Sequence, residues 1–141
     1  MFKSLINRTI DLGIAYIMRS FSYKRKVRAF LNELRYNQRL LEYIKNDKIK
    51  IEKGVLFIPF HTDIYNYLIT TDFNFSKIGE RLEKEYIVED IHNVYIKIQL
   101  CMSFWTMHKE DKTNPLLKTI NFKRRLTNIR EDLLNINKYI Y

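Results

Sequence analysis

LNELRYNQRLL, Leu31 to Leu41, decides how this chain folds. At about 100° per residue, Leu31, Leu34 and Leu41 fall on one side of a helix. Glu33 and Asn37, one turn apart, lie inside the same apolar arc. A carboxylate and an amide on a core-facing side each need a hydrogen-bond partner once buried. The expected partners are the backbone of the downstream connector or the helix start at Thr62. Glu33, Asn37 and Thr62 are therefore read as a structural polar set that fixes a short helix against its neighbours.

The helical period extends both ways from this stretch. The second helix runs from about Tyr23 to Asn46, with Val27, Phe30, Leu31, Leu34, Leu41 and Ile44 on one face. Ala29, Tyr36, Leu40 and Tyr43 form an adjoining face, and Arg28, Arg35 and Arg39 an exposed strip. A helix apolar on two sides touches two neighbours, or one neighbour and a partner. Upstream, residues 2–20 read as an amphipathic first helix. Phe2, Leu5, Ile6, Ile10, Gly13, Ile14, Ile17 and Phe21 recur at helical spacing, and Leu12 and Tyr16 widen that side. This helix is the expected cover for the second apolar side of the second or third long helix.

Residues 47–60 break the period: Ile49 and Ile51 alternate with lysine and Gly54 punctuates, so an extended connector or small hairpin is expected. HTDIYNYLI, from His61, reads as a short helix with Thr62 as N-cap and Asp63 in the positive first turn. Ser76 is placed to cap the next element, residues 77–109, one long helix or a broken pair. Ile87, Ile91, Val94, Tyr95, Ile98, Cys101, Met102 and Trp105 form its core face. Ile96, Leu100, Phe104 and Met107 lie opposite, which predicts burial of its C-terminal half on both sides. Asn114 and Pro115 suit the cap and first turn of a last helix, whose core face is Phe122, Leu126, Ile129, Leu133, Ile136 and Ile140.

Composition agrees with this helical reading. The 141 residues suffice for one core, and no repeat or linker divides them, so 1–141 is expected to be a single domain. Hydrophobic residues make up 46%, which excludes wholesale disorder. Three glycines and two prolines are too few for the turns of a sandwich or barrel. The predicted fold is all-α: an antiparallel bundle of three to four long helices with a short inserted helix.

The net charge of +9 is uneven. Residues 1–50 carry 12 basic and 4 acidic side chains, residues 51–100 carry 5 and 8, and residues 101–141 carry 8 and 4. Basic ends attract an anionic partner, whether nucleic acid, phospholipid or acidic protein. Arg19, Lys24, Arg25, Lys26 and Arg28 cluster at the junction of the first two helices, and Lys123 and Arg124 mark the last helix. These seven are the candidate anion-contacting residues. The solvated face of a lysine-rich protein is the bland alternative.

Catalytic signals are sparse. His61, His92 and His108 have no third convergent ligand in sequence, so neither a metal site nor a catalytic histidine is expected. No phosphate-binding loop, dinucleotide fingerprint or serine elbow is present, and no cofactor is predicted. Cys101 falls on a core face, where a nucleophile lacks access, and a single cysteine cannot form an intramolecular disulfide. No run reaches the roughly 18 apolar residues of a membrane span, and no secretory leader is recognisable.

Glu33, Leu34 and Asn37 also spell E-L-x-x-N, and Phe60, Thr62 and Tyr65 spell F-x-T-x-x-Y. In that order, before a long helix with Tyr95 and Ile98, they resemble a loose group of uncharacterised prokaryotic helical proteins. The likeness covers about residues 27–137. In that group an E-L-x-x-N helix precedes an F-x-T-x-x-[WY] short helix, often behind an N-terminal membrane anchor. The resemblance implies no activity, and here the first helix is too polar to span. The expected function is a non-catalytic interaction or regulatory module, without a small-molecule substrate. Its basic, amphipathic N-terminal part would engage a protein partner, a second copy or an anionic membrane surface. The alternative is a basic nucleic-acid-binding subunit using the second and last helices. The expected location is cytoplasmic, either free or peripheral at the inner face of a membrane.

Overall fold

The computed structural model describes residues 12–45, 58–81, 86–111, 113 and 122–139, with side chains for all of these except 12, 43–45, 79–81, 122 and 123. Readings that fall on residues 2–11, on the connector with Gly54, or on Asn114 and Pro115 lie outside the described residues. The described elements are α1 (Leu12–Arg19), α2 (Tyr23–Lys45), α3 (Asp63–Thr70), α4 (Ser76–Arg81), α5 (Ile87–Glu110) and α6 (Phe122–Asn137). The fold is all-α, and the described residues contain no strand.

Three long helices make the frame. α6 packs against both α2 and α5. Arg130 lies 3.2 Å from Glu42, whereas Asn137 reaches Gln38 and the Leu34 carbonyl, so α6 runs antiparallel to α2. Lys97 pairs with Asp132, and the Arg125 guanidinium sits 5.0 Å from the centre of the Phe104 ring, so α6 is antiparallel to α5 as well. α2 and α5 therefore run in the same direction. Their shared core holds Val27, Phe30, Leu34, Leu41, Ile91, Val94, Tyr95 and Ile98, closed by Leu126, Ile129, Leu133 and Ile136.

The expected helix over 77–109 is a pair, α4 and α5, rather than one rod. Asn74, not Ser76, supplies the cap of α4: its Oδ1 accepts the Ser76 N–H at 3.1 Å. The turn before it is closed by a left-handed residue, Asp72 (φ 54°), and by a bond from the Phe73 N–H to the Leu68 carbonyl. That reversal stacks Phe73 on Tyr23 at 5.0 Å and sets Phe75 edge-on to Phe30 at 5.8 Å.

The apolar faces differ in part from the expectation. α1 packs on α3, and Ile14 lines the same cleft as Ala29 and Tyr36 of the second apolar face of α2. Ile96 (43% exposed) and Leu100 (45%) face solvent, whereas Phe104 and Met107 on the same side are half-buried, so the second side of α5 is covered only toward its C-terminal end. α1 is also turned from its predicted face. Met18 is buried and Ile14 and Ala15 half-buried, whereas Tyr16 is 79% and Ile17 53% exposed. A wide apolar arc leaves the docking face open, and contact with the short α3 selects the 14–15–18 edge.

Candidate functional site

Glu33 (5% exposed) and Asn37 (fully buried) project from α2 at the start of α3. Asn37 makes a two-way bond with one residue: its Nδ2 donates to the His61 carbonyl and its Oδ1 accepts the His61 N–H, both at 2.8 Å. One turn earlier, Glu33 Oε2 accepts the Ile64 N–H at 2.8 Å and Oε1 accepts the Tyr65 N–H at 3.2 Å. These are free donors of the first turn of α3, so Glu33 caps that helix from another element. Thr62 occupies the N-cap position without making the cap bond. Its hydroxyl instead accepts from Asn66 Nδ2 at 3.3 Å, and Asn66 Oδ1 accepts from Gln99 at 3.2 Å. Tyr65 thus meets Glu33 through its backbone, and Thr62 lies between the segments held by Asn37 and Glu33.

Spacing puts Tyr95 on a core face and Tyr65 in the F-x-T-x-x-Y stretch but assigns neither hydroxyl a partner. The Tyr95 hydroxyl donates to Glu33 Oε1 at 2.7 Å, and Tyr95 stacks on Tyr65 at 3.9 Å. The Tyr65 hydroxyl and His92 Nδ1 form a hydrogen bond at 2.9 Å. The available signal was Tyr95 on a core face, because a buried phenol needs a partner. Burial pushes the Glu33 carboxyl up to about 7, against the lowering effect of its three donors, and nearby Asp63 adds to the rise. Burial likewise raises Tyr65 to about 12, raises Tyr95 with help from the Glu33 charge, and lowers His92.

Glu33 forms part of the wall of an open cleft of about 520 Å³. Asn32, Arg35, Tyr36 and Arg39 line one stripe of α2 beside Ala29. His61, Asp63 and Ile64 form the opposite wall, and Ile14 of α1 closes one end. His61 stacks on Tyr36 with ring centres 3.7 Å apart.

The predicted basic residues split into two groups. Arg19, Lys24, Arg25 and Arg28 are exposed around the turn between α1 and α2, where the Arg25 guanidinium lies 4.2 Å from the Phe21 ring centre. Lys26 is half-buried, with Nζ 5.7 Å from the Tyr67 ring centre. Arg124 is exposed on α6, and the Lys123 side chain lies outside the described residues. Arg130 is opposite Glu42 in an antiparallel pair. Arg124 and Arg28 therefore stand roughly 30 Å apart along the helix axis, and the seven residues do not form one patch.

The remaining candidates are dispersed. Cys101 is buried, and burial pushes its thiol up to about 11. No group of three metal-ligating side chains occurs among the described residues. No described helix is long and apolar enough to cross a membrane.

The Asn37 tether has a direct test. Asn37→Leu removes an acceptor and a donor from the His61 peptide group, so amide exchange over residues 61–65 is expected to accelerate at least tenfold. Unchanged protection there would show that Glu33 alone holds α3. Set against known proteins, the chain matches no family model, no curated relative and no solved structure.

Proposed function

We propose that the protein is a non-catalytic helical module that docks on an anionic membrane surface. The observation that carries this reading is the outer edge of α1. Tyr16 and Ile17 stand out of the fold beside exposed Arg19, Lys24, Arg25 and Arg28. An aromatic and a branched aliphatic side chain, followed in the chain by exposed cations, suit the boundary between headgroups and acyl chains. Each lysine or arginine near an anionic leaflet contributes about 1 kcal/mol of attraction, and the buried apolar edge adds to it. The competing nucleic-acid reading draws on the basic residues of α2 and α6. Antiparallel packing separates the cluster at the α1–α2 turn from Arg124, so that reading would use them as two separate contacts.

Flotation with phospholipid vesicles tests the proposal. The full chain is expected to float with vesicles containing anionic lipid and to remain below those made only of zwitterionic lipid. Joint Tyr16→Ser and Ile17→Ser replacement, or joint Arg19→Glu and Arg28→Glu replacement, is expected to weaken flotation at least tenfold. Equal flotation by these variants and the parent, or none at all, overturns the reading. Tighter, salt-dependent binding of labelled RNA or DNA transfers the basic turn to the alternative.

A further inference from the structure

We propose that the cleft between α2 and the start of α3 binds a small amphipathic anion, and that binding is accompanied by proton uptake at Glu33. The cleft volume, about 520 Å³, lies within the range that encloses small organic ligands. Its chemistry is segregated. Arg35 and Arg39, one turn apart, supply cationic groups along the α2 stripe, and Arg39 is exposed to an arriving ligand. Ile14, Ala29 and Ile64 give apolar wall, and the stacked Tyr36 and His61 rings give a flat one. A ligand with one anionic head and a short apolar body matches both parts. A doubly charged or wholly polar ligand leaves the apolar wall unmatched.

Proton uptake follows from where Glu33 sits. Glu33 lines the cleft with its carboxyl bonded at the start of α3 just behind the wall, so an apolar body seated there displaces nearby water and favours the neutral acid. Among the described residues, the facing groups come from three elements. They are Arg35, Tyr36 and Arg39 of α2, His61, Asp63 and Tyr65 of the opposite wall, and Tyr95 of α5, with His92 one bond further through Tyr65. Among the described residues, α1 contributes the aliphatic Ile14 to the lining. Glu33 already titrates near neutrality, at about 7, so a modest rise is read directly in the working pH range. In the neutral acid Oε2 still accepts from Ile64, whereas a proton on Oε1 reverses the Tyr95 bond, so that the phenol oxygen becomes the acceptor.

Calorimetric titration of the full chain with decanoate, below micelle-forming concentration, tests this. Measurements at pH 6 and 8, in two buffers of different ionisation heat, report affinity and proton uptake together. The expected result is saturable 1:1 binding with net proton uptake. Binding should be about 5-fold tighter at pH 6, the size set by a rise of about one unit on occupancy. Glu33→Gln should bind without that pH dependence, and Arg39→Glu should lose at least tenfold in affinity at unchanged melting temperature. No saturable binding at pH 6 overturns the site. Full affinity in Arg39→Glu, or the same pH dependence in Glu33→Gln, overturns the assigned residues. The Tyr16→Ser and Ile17→Ser variant should keep decanoate binding while losing vesicles, which separates this site from the membrane-docking edge. Loss of both together overturns the cleft as a separate site.

Discussion

Glu33→Ala is expected to cost about 3–5 kcal/mol of folding stability, measured by urea unfolding at neutral pH. The magnitude comes from what the alanine leaves behind. Two first-turn N–H groups of α3, on Ile64 and Tyr65, lose their acceptor, as does the Tyr95 hydroxyl in the middle of the core. A buried donor without a partner costs about 1–3 kcal/mol, and Tyr95 is fully buried. Water can reach Ile64 through the half-open cleft, which holds the sum below the full penalty for three groups. Glu33→Gln retains one oxygen acceptor but turns an NH₂ toward donors, so its expected cost is smaller, about 1–2 kcal/mol. Tyr95→Phe in the Glu33→Ala background is expected to recover part of the loss, because it removes one stranded hydroxyl. An alanine variant as stable as the parent would mean that α3 holds its position by apolar packing alone.

The reason this centre could be found from sequence is also the reason part of it could not. Glu33 and Asn37 stand out because the apolar positions around them follow one helical period, and burial then demands partners. Their position near Thr62 follows from chain order, since the short helix begins soon after α2 ends. Which atom does the capping does not follow. Thr62 has the residue type and the position of an N-cap, but the Glu33 carboxylate reaches the same donors with a charge. Periodicity assigns Tyr95 to the core and is silent about where its hydroxyl points. The docking of α1 was legible only as far as its existence. Its sequence is apolar over more than half its circumference, and a choice between Met18 and Ile17 depends on contact with α3, forty residues on. Ile96 and Leu100 are apolar positions that periodicity assigns to a second face and that no described element covers.

The pH dependence of stability gives the second large effect, and its sign separates Glu33 from the other carboxylates. Most native carboxylates are held below their unfolded values and lose stability as acid protonates them. Glu33 is displaced the other way, from 4.5 to about 7, chiefly by burial. Between these values the native chain holds a proton at Glu33 that the unfolded chain has released. Stability from this group is therefore fully present below pH 4.5 and is lost as pH rises through about 7. The shift corresponds to roughly 3 kcal/mol over that window. His92 works in the opposite direction: burial lowers its pKa, so its neutral form favours folding as pH rises toward and past its ordinary range. The two partly cancel in the parent protein, whereas Glu33→Gln keeps the His92 contribution and removes that of Glu33. Stability of the parent minus that of Glu33→Gln, from urea unfolding at half-unit steps between pH 4.5 and 8, is expected to fall by about 3 kcal/mol. A flat difference would mean that the three donors keep Glu33 ionised throughout, and the carboxyl would then act as a permanent charged cap on α3 instead of a proton-linked one.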